Sequence, residues 1–124
     1  MATEAERSRW LFHVVERERW ERGDDPYRPD SLAREGFVHC SYRDAVVESA
    51  RLYFAPDAAL VVLELDPTRI DALIDVARTP RGPMPHVHGP IPRSAVRAVL
   101  SLDEVPSRED ARRRAMTAAR GPRS

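Results

Sequence analysis

The chain has no lysine, no asparagine and no glutamine; all twenty basic residues are arginine. Without a lysine amine there is no Schiff base and no Walker-type phosphate lysine, and without asparagine there is no Cys-His-Asn triad. A single cysteine, Cys40, leaves no partner for an internal disulfide, and the opening MATEAERSRW lacks the uninterrupted apolar core of a secretion signal. A reducing cytoplasm is the expected location. Long apolar runs are missing too: the strongest, Ala58 to Asp66 (AALVVLELD), falls far short of the roughly 20 residues that a membrane span needs. Neither charge sign dominates. Lys+Arg 20 against Asp+Glu 20 gives a formal net charge of +0, with the signs mixed along the body, so no nucleic-acid groove built on bulk electrostatics is expected.

What is present fits one modest domain. A chain of 124 residues should bury roughly two-thirds of its unfolded surface around a single core. Trp10 to Val15 (WLFHVV) is aromatic and β-branched, which predicts a strand, and ERERWERG after it reads as a short helix closing at Gly23. DDPYRPDSLAREGF opens on a proline-bounded turn; Asp30 or Ser31 can cap a short helix ending at Gly36, where the chain enters a left-handed conformation. In Phe37 to Ser41 (FVHCS) alternation puts Val38 and Cys40 on one face and Phe37, His39 and Ser41 on the other. Tyr42 to Phe54 has the spacing of an amphipathic helix, and Ala59 to Leu65 reads as a central strand broken only by Glu64, a carboxylate that needs a partner or a cleft. IDALIDVAR fits a short strand, TPRGPMPHVHGPIP is proline- and glycine-rich, and AVRAVLSLDEV alternates as a last strand. The expectation is a single α+β domain over residues 9–105 with an antiparallel or split sheet, a flexible N-terminus over 1–8, and an arginine-rich tail over 106–124 that is a frayed helix or disordered.

Three blocks in order, GFVHCS, YFAPDAALVVLELDP and MPHVHGPIPRSAV, resemble the small bacterial family DUF952, a domain of unknown function. The similarity runs from about Trp10 to Val105. It implies a compact ADP-ribosyltransferase-like fold, also related to RNA 2'-phosphotransferases, in which two small sheets form a cleft that holds NAD in active relatives. This chain departs from the family pattern at two places. Its Met84-Pro85-His86-Val87-His88-Gly89 carries a second imidazole where the family has a tyrosine. No carboxylate lies between Ala77 and Gly82, where the family commonly has a glutamate. A glutamate-dependent transfer would then need Glu64 as a substitute.

The histidines carry the chemistry on offer. If Pro85 to Gly89 is extended, His86 and His88 project to one side about 7 Å apart, and His39 from another strand can complete a cluster. An imidazole with an unperturbed pKa of about 6.5 gives or takes protons near neutral pH. Three imidazoles could also hold a divalent ion, but an extended His-x-His pair without an evident second shell is weak evidence, and no metal is expected. Cys40 points away from His39, so it is expected to be a buried core thiol rather than a nucleophile. Ser41 either holds a ligand's amide or phosphate or caps the helix starting near Tyr42. His13, on the first strand, is either a cofactor ligand, as in transferases of this fold, or a satisfied core histidine. Tyr27 and Arg28 are candidates for a loop over the cleft, and Arg51 and Arg81 for anion anchors.

The leading expectation is a small cytoplasmic enzyme, monomer or homodimer, in which His39, His86 and His88 perform acid–base chemistry on a small organic substrate, with Glu64 orienting an imidazole. It needs no cofactor. The first alternative is NAD-dependent ADP-ribosyl or related glycosyl transfer, with His13 and Ser41 holding NAD. The second is a non-catalytic ligand-binding module whose arginine-rich tail contacts an acidic partner.

Overall fold

The computed structural model describes residues 9–105; the expectations for the 1–8 and 106–124 segments fall outside the described residues. β1 (Leu11–Glu16) runs directly into α1 (Arg17–Arg22), which buries Trp20 and stops at Gly23. α2 (Asp30–Glu35) begins one residue earlier than an Asp30 cap implies and two earlier than a Ser31 cap does: Pro29 stands at its N-cap, and no side chain caps it. Asp30 is the first helical residue rather than the cap, and its carboxylate accepts a 2.6 Å bond from Arg19. The helix ends at Gly36 with φ 86, the left-handed conformation that glycine adopts without a Cβ penalty, and the chain enters β2 (Val38–His39).

α3 (Val46–Tyr53) starts four residues beyond Tyr42. The chain stays extended through Ser41 because the Ser41 amide and carbonyl both bond Phe12 of β1, at 2.7 and 2.8 Å, and a turn closed by Ala45 N–H on the Tyr42 carbonyl precedes the helix. Ser41 is therefore not its cap; its hydroxyl pairs with Ser49 instead. The remaining strands are β3 (Leu60–Leu65), β4 (Ile74–Thr79), β5 (Gly82–Val87) and β6 (Val96–Leu100).

These form two three-stranded antiparallel sheets, β1-β3-β6 and β2-β5-β4, joined by short helices into one mixed α and β body. β5 is the central strand of its sheet although Pro83 and Pro85 lie within it. Its even-numbered residues face β4, since His88 N–H donates to the Leu73 carbonyl, while Pro85 faces β2, where its carbonyl accepts from Cys40. β2 is only two residues long, so the missing proline amides interrupt almost no ladder.

The main core lies between the sheets, where Leu11, Val15, Leu63 and Leu65 of the first sheet meet Val38, Cys40, Val76 and Val87 of the second. On the other face of the first sheet, Phe12 and Val62 pack against Val46 of α3 and Val105. Among the described residues no helix is long and apolar enough to cross a membrane.

Glu64 belongs to this second face, opposite Phe12 in the β1–β3 register, whereas His13 points into the other face. Its carboxylate, 8% exposed, accepts from Arg43 at 3.1 Å and from Arg97 at 2.5 Å. Arg43 lies over the Phe12 ring and Arg97 over the Trp10 ring. The expected role in orienting an imidazole is thus replaced by pairing with two guanidinium groups. Because both arginines keep substantial solvent contact, Glu64→Gln should cost about 1–2 kcal/mol in urea denaturation and leave ligand binding in the cleft unchanged.

Candidate functional site

The β2 and β5 faces determine which side chains meet. Val38, Pro85 and Val87 turn into the core, so Phe37, His39, Met84, His86 and His88 occupy the opposite face, with His39 directly across from His86. Phe37 gathers the imidazoles: its ring stacks on His86 at 4.0 Å and 18°, with His39 at 4.7 Å and His88 at 5.6 Å between centroids. His39 and His86 meet edge-on at 5.6 Å. The three rings pack around a phenyl group, and among the described residues no group of three or more His, Cys, Asp or Glu is arranged to hold a metal ion.

The last residue of α2 completes the His39 environment. Glu35 Oε2 lies 2.6 Å from His39 Nε2, one helical turn earlier in sequence. An ionised carboxylate can only accept, so Nε2–H is the donor and Nδ1 carries the lone pair of the neutral ring. The hydrogen bond from His39 holds the Glu35 carboxyl below the usual carboxylate range. His86 is shifted toward the neutral form, first by burial and then by the charges of His39 and His88.

His13 is buried and fully satisfied. Its Nδ1 is 2.7 Å from the His39 carbonyl, which can only accept; Nδ1–H is therefore the donor and Nε2 the acceptor, taking the Tyr27 hydroxyl hydrogen at 2.8 Å. Burial drives the His13 pKa down from 6.5 to about 4, against the opposing effect of the His39 carbonyl, and the ring stays neutral. Burial likewise pushes the Tyr27 phenol up. Tyr27 is thus no exposed loop aromatic: its backbone bonds Ile91 in both directions, at 2.7 and 3.0 Å, and its ring meets Trp20 edge-on.

A third polar group lies beside these. Arg81 donates through Nε to Glu48 at 2.6 Å, and through Nη2 to Ser49 Oγ at 2.9 Å and the Ala45 carbonyl at 3.4 Å. Ser49 Oγ is 2.8 Å from Ser41 Oγ, and both serines are buried.

An open cleft of about 1380 Å³ connects the three groups, lined by His13, Tyr27, Arg28, His39, Ser41, Arg81 and His86 among the residues singled out from sequence, and by Glu35 and Ser49 besides. His88, Glu64 and Arg51 do not line it: His88 is exposed, with its ring 5.6 Å from that of Phe37, and Arg51 is exposed on α3. Cys40 borders the cleft but is buried, and burial pushes its thiol up to about 12, which removes the thiolate. Sequence reasoning missed Glu35, Phe37 and Ser49. The i,i+4 spacing of Glu35 and His39 was visible but spans a helix end and a strand; nothing local ties Ser49 to Ser41.

His13 gives the site a measurable pH signature. A histidine depressed in the folded state contributes stability that is present above its unfolded pKa of 6.5 and lost as pH falls toward about 4. From pH 7 to 5 the protein should lose about 2 kcal/mol through His13, with His86 adding in the same direction. In urea denaturation, His13→Gln should show less than half of the wild-type loss; an unchanged pH dependence would contradict the assignment.

The two-sheet architecture recurs in solved structures. Protein CC0527 from Caulobacter crescentus, determined by X-ray crystallography, matches with a TM-score of 0.66 at 21% identity, over 82% of this chain and 96% of that one. A double mutant of the same protein matches to the same extent. At this identity the likeness concerns the fold alone. No curated protein matches the chain at a significant level. Residues 14–99, from within β1 to within β6, match the model of the family described as Protein of unknown function (DUF952), and the chain belongs to that family.

Proposed function

We propose that the protein is a small enzyme that moves protons on a small organic substrate in the histidine-lined cleft, as in an isomerisation, dehydration or cyclisation. The observation that carries this reading is the 2.6 Å bond between Glu35 and His39 at a cleft wall shared with His86. With Nε2–H committed to Glu35, Nδ1 of His39 is the base atom, and the ionised carboxylate stabilises the imidazolium formed when Nδ1 takes a proton. The lowered proton affinity of His86 makes its charged form the stronger acid, which suits it to return a proton. The phenyl ring of Phe37 restrains both imidazoles and shields one His86 face from water.

Proton exchange at carbon can be read on any compound that enters the cleft, whether or not it is the natural substrate. Small hydroxy, keto and amino compounds that raise the melting temperature are incubated with the protein in D2O and followed by proton NMR. A bound compound should take up deuterium at carbon or be converted, at a rate lowered roughly 100-fold in His39→Gln and about 10-fold in Glu35→Gln. Bound compounds that keep their protons, or conversion that survives His39→Gln, would contradict the reading.

A second reading, NAD-dependent ADP-ribosyl transfer on an ADP-ribosyltransferase-like body, is favoured by the cleft volume, which exceeds that of ordinary small-molecule pockets, and by His13 and Tyr27 on the cleft wall. Its carboxylate is out of place. Residues 77–82 carry none, and Glu64 sits on the far face of the first sheet with its two arginines. Calorimetric titration with NAD and chromatography for free nicotinamide should show no release; release would promote this reading over proton transfer.

A further inference from the structure

The Ser41, Ser49 and Arg81 group has more donors than acceptors. Two serine hydroxyls carry two hydrogens, and the 2.8 Å bond between them uses one, whichever serine donates. Ser49 Oγ already accepts from Arg81 Nη2. The remaining hydroxyl hydrogen finds no acceptor among the described residues, in a corner where Ser41 is 4% and Ser49 7% exposed. Arg81 adds to the surplus: Glu48 and Ala45 take Nε and one Nη2 hydrogen, and Nη1 has no hydrogen-bond partner among the described residues. Glu48 is itself largely solvated, so its charge offsets that of Arg81 only weakly inside the cleft. All three side chains line the cleft, so these donors are open to a group that brings acceptor oxygens and negative charge.

We infer that Ser41, Ser49 and Arg81 form an oxyanion subsite at one end of the cleft, which takes a carboxylate or phosphate group of the substrate. Ser41 lies two residues beyond His39 along extended chain, about 7 Å away. An anion held there leaves a carbon only a few bonds distant within reach of the His39 ring. The substrate class is therefore a small acid or phosphate ester with its reacting carbon near the anionic group. This specification rests on the proton-transfer reading for what His39 does, but the subsite itself does not.

The isotopically labelled full-length chain is titrated with inorganic phosphate and, separately, with acetate, and its amide resonances are followed by NMR. At least one probe should cause saturable shifts centred on Ser41, Ser49 and Arg81, and which one binds distinguishes phosphate from carboxylate. Affinity should fall roughly 10-fold in Ser41→Ala and in Ser49→Ala, as loss of one charge-assisted hydrogen bond predicts, and should be retained in His39→Gln. No saturable shift with either probe, shifts centred elsewhere, or affinity unmoved in both serine variants would overturn the subsite. Because binding is read without turnover, failure of the His39 chemistry leaves this result standing, and failure of the subsite leaves the deuterium experiment to judge the chemistry.

Discussion

The hydrogen bond from His13 Nδ1–H to the His39 carbonyl is the point on which the cleft depends. It joins residues 26 apart in sequence and ties the first strand of one sheet to the second sheet through a buried imidazole. Next to it, Phe12 and Ser41 exchange backbone bonds at 2.8 and 2.7 Å, so the two sheets are stitched where the cleft begins. A buried hydrogen bond contributes on the order of 1 kcal/mol net, but stranding its partner costs about 1–3 kcal/mol. Here the stranded partners would be the His39 carbonyl and the Tyr27 hydroxyl together. The same residue that anchors the sheets through its backbone thus presents its side chain to Glu35 and the cleft.

Arginine as the sole basic residue type shapes the rest of the body. A planar guanidinium can stack and hydrogen-bond at once, which a lysine ammonium cannot. Arg93 lies 3.8 Å from the Trp20 ring centroid while its Nη2 donates to the Trp20 and Gly23 carbonyls, clamping the end of α1 beside the cleft. Arg43 and Arg97 do the same around Glu64, each over an aromatic ring. The carboxylate that breaks the apolar pattern of β3 is accommodated in this way without entering the cleft.

Much of this was legible in the chain. Alternation along Phe37 to Ser41 separated the core face of Val38 and Cys40 from the polar face of His39, and Gly36 marked the left-handed helix end. The antiparallel, split arrangement followed from short strands with turn signals between them. Other features depended on contacts distant in sequence. β5 hid behind its prolines because only the two-residue length of β2 makes them tolerable in a central strand. The late start of α3 came from the Phe12–Ser41 bridge, which no local propensity encodes. Glu64 announced that it needed a partner, but which residues answered was a matter of sheet register and of Arg43 and Arg97 arriving from either side.

His13 is a neutral structural imidazole, with fixed tautomer, that holds the His39 backbone in place beside the cleft. Long-range proton–nitrogen correlation NMR of the histidine rings reads both the tautomer and the charge of each imidazole. His13 should be the Nδ1–H tautomer, remaining neutral from pH 8 down to pH 5 in keeping with a pKa of about 4, and His39 the Nε2–H tautomer whenever it is neutral. A His13 ring that titrates near 6.5, or that carries its proton on Nε2, would contradict it.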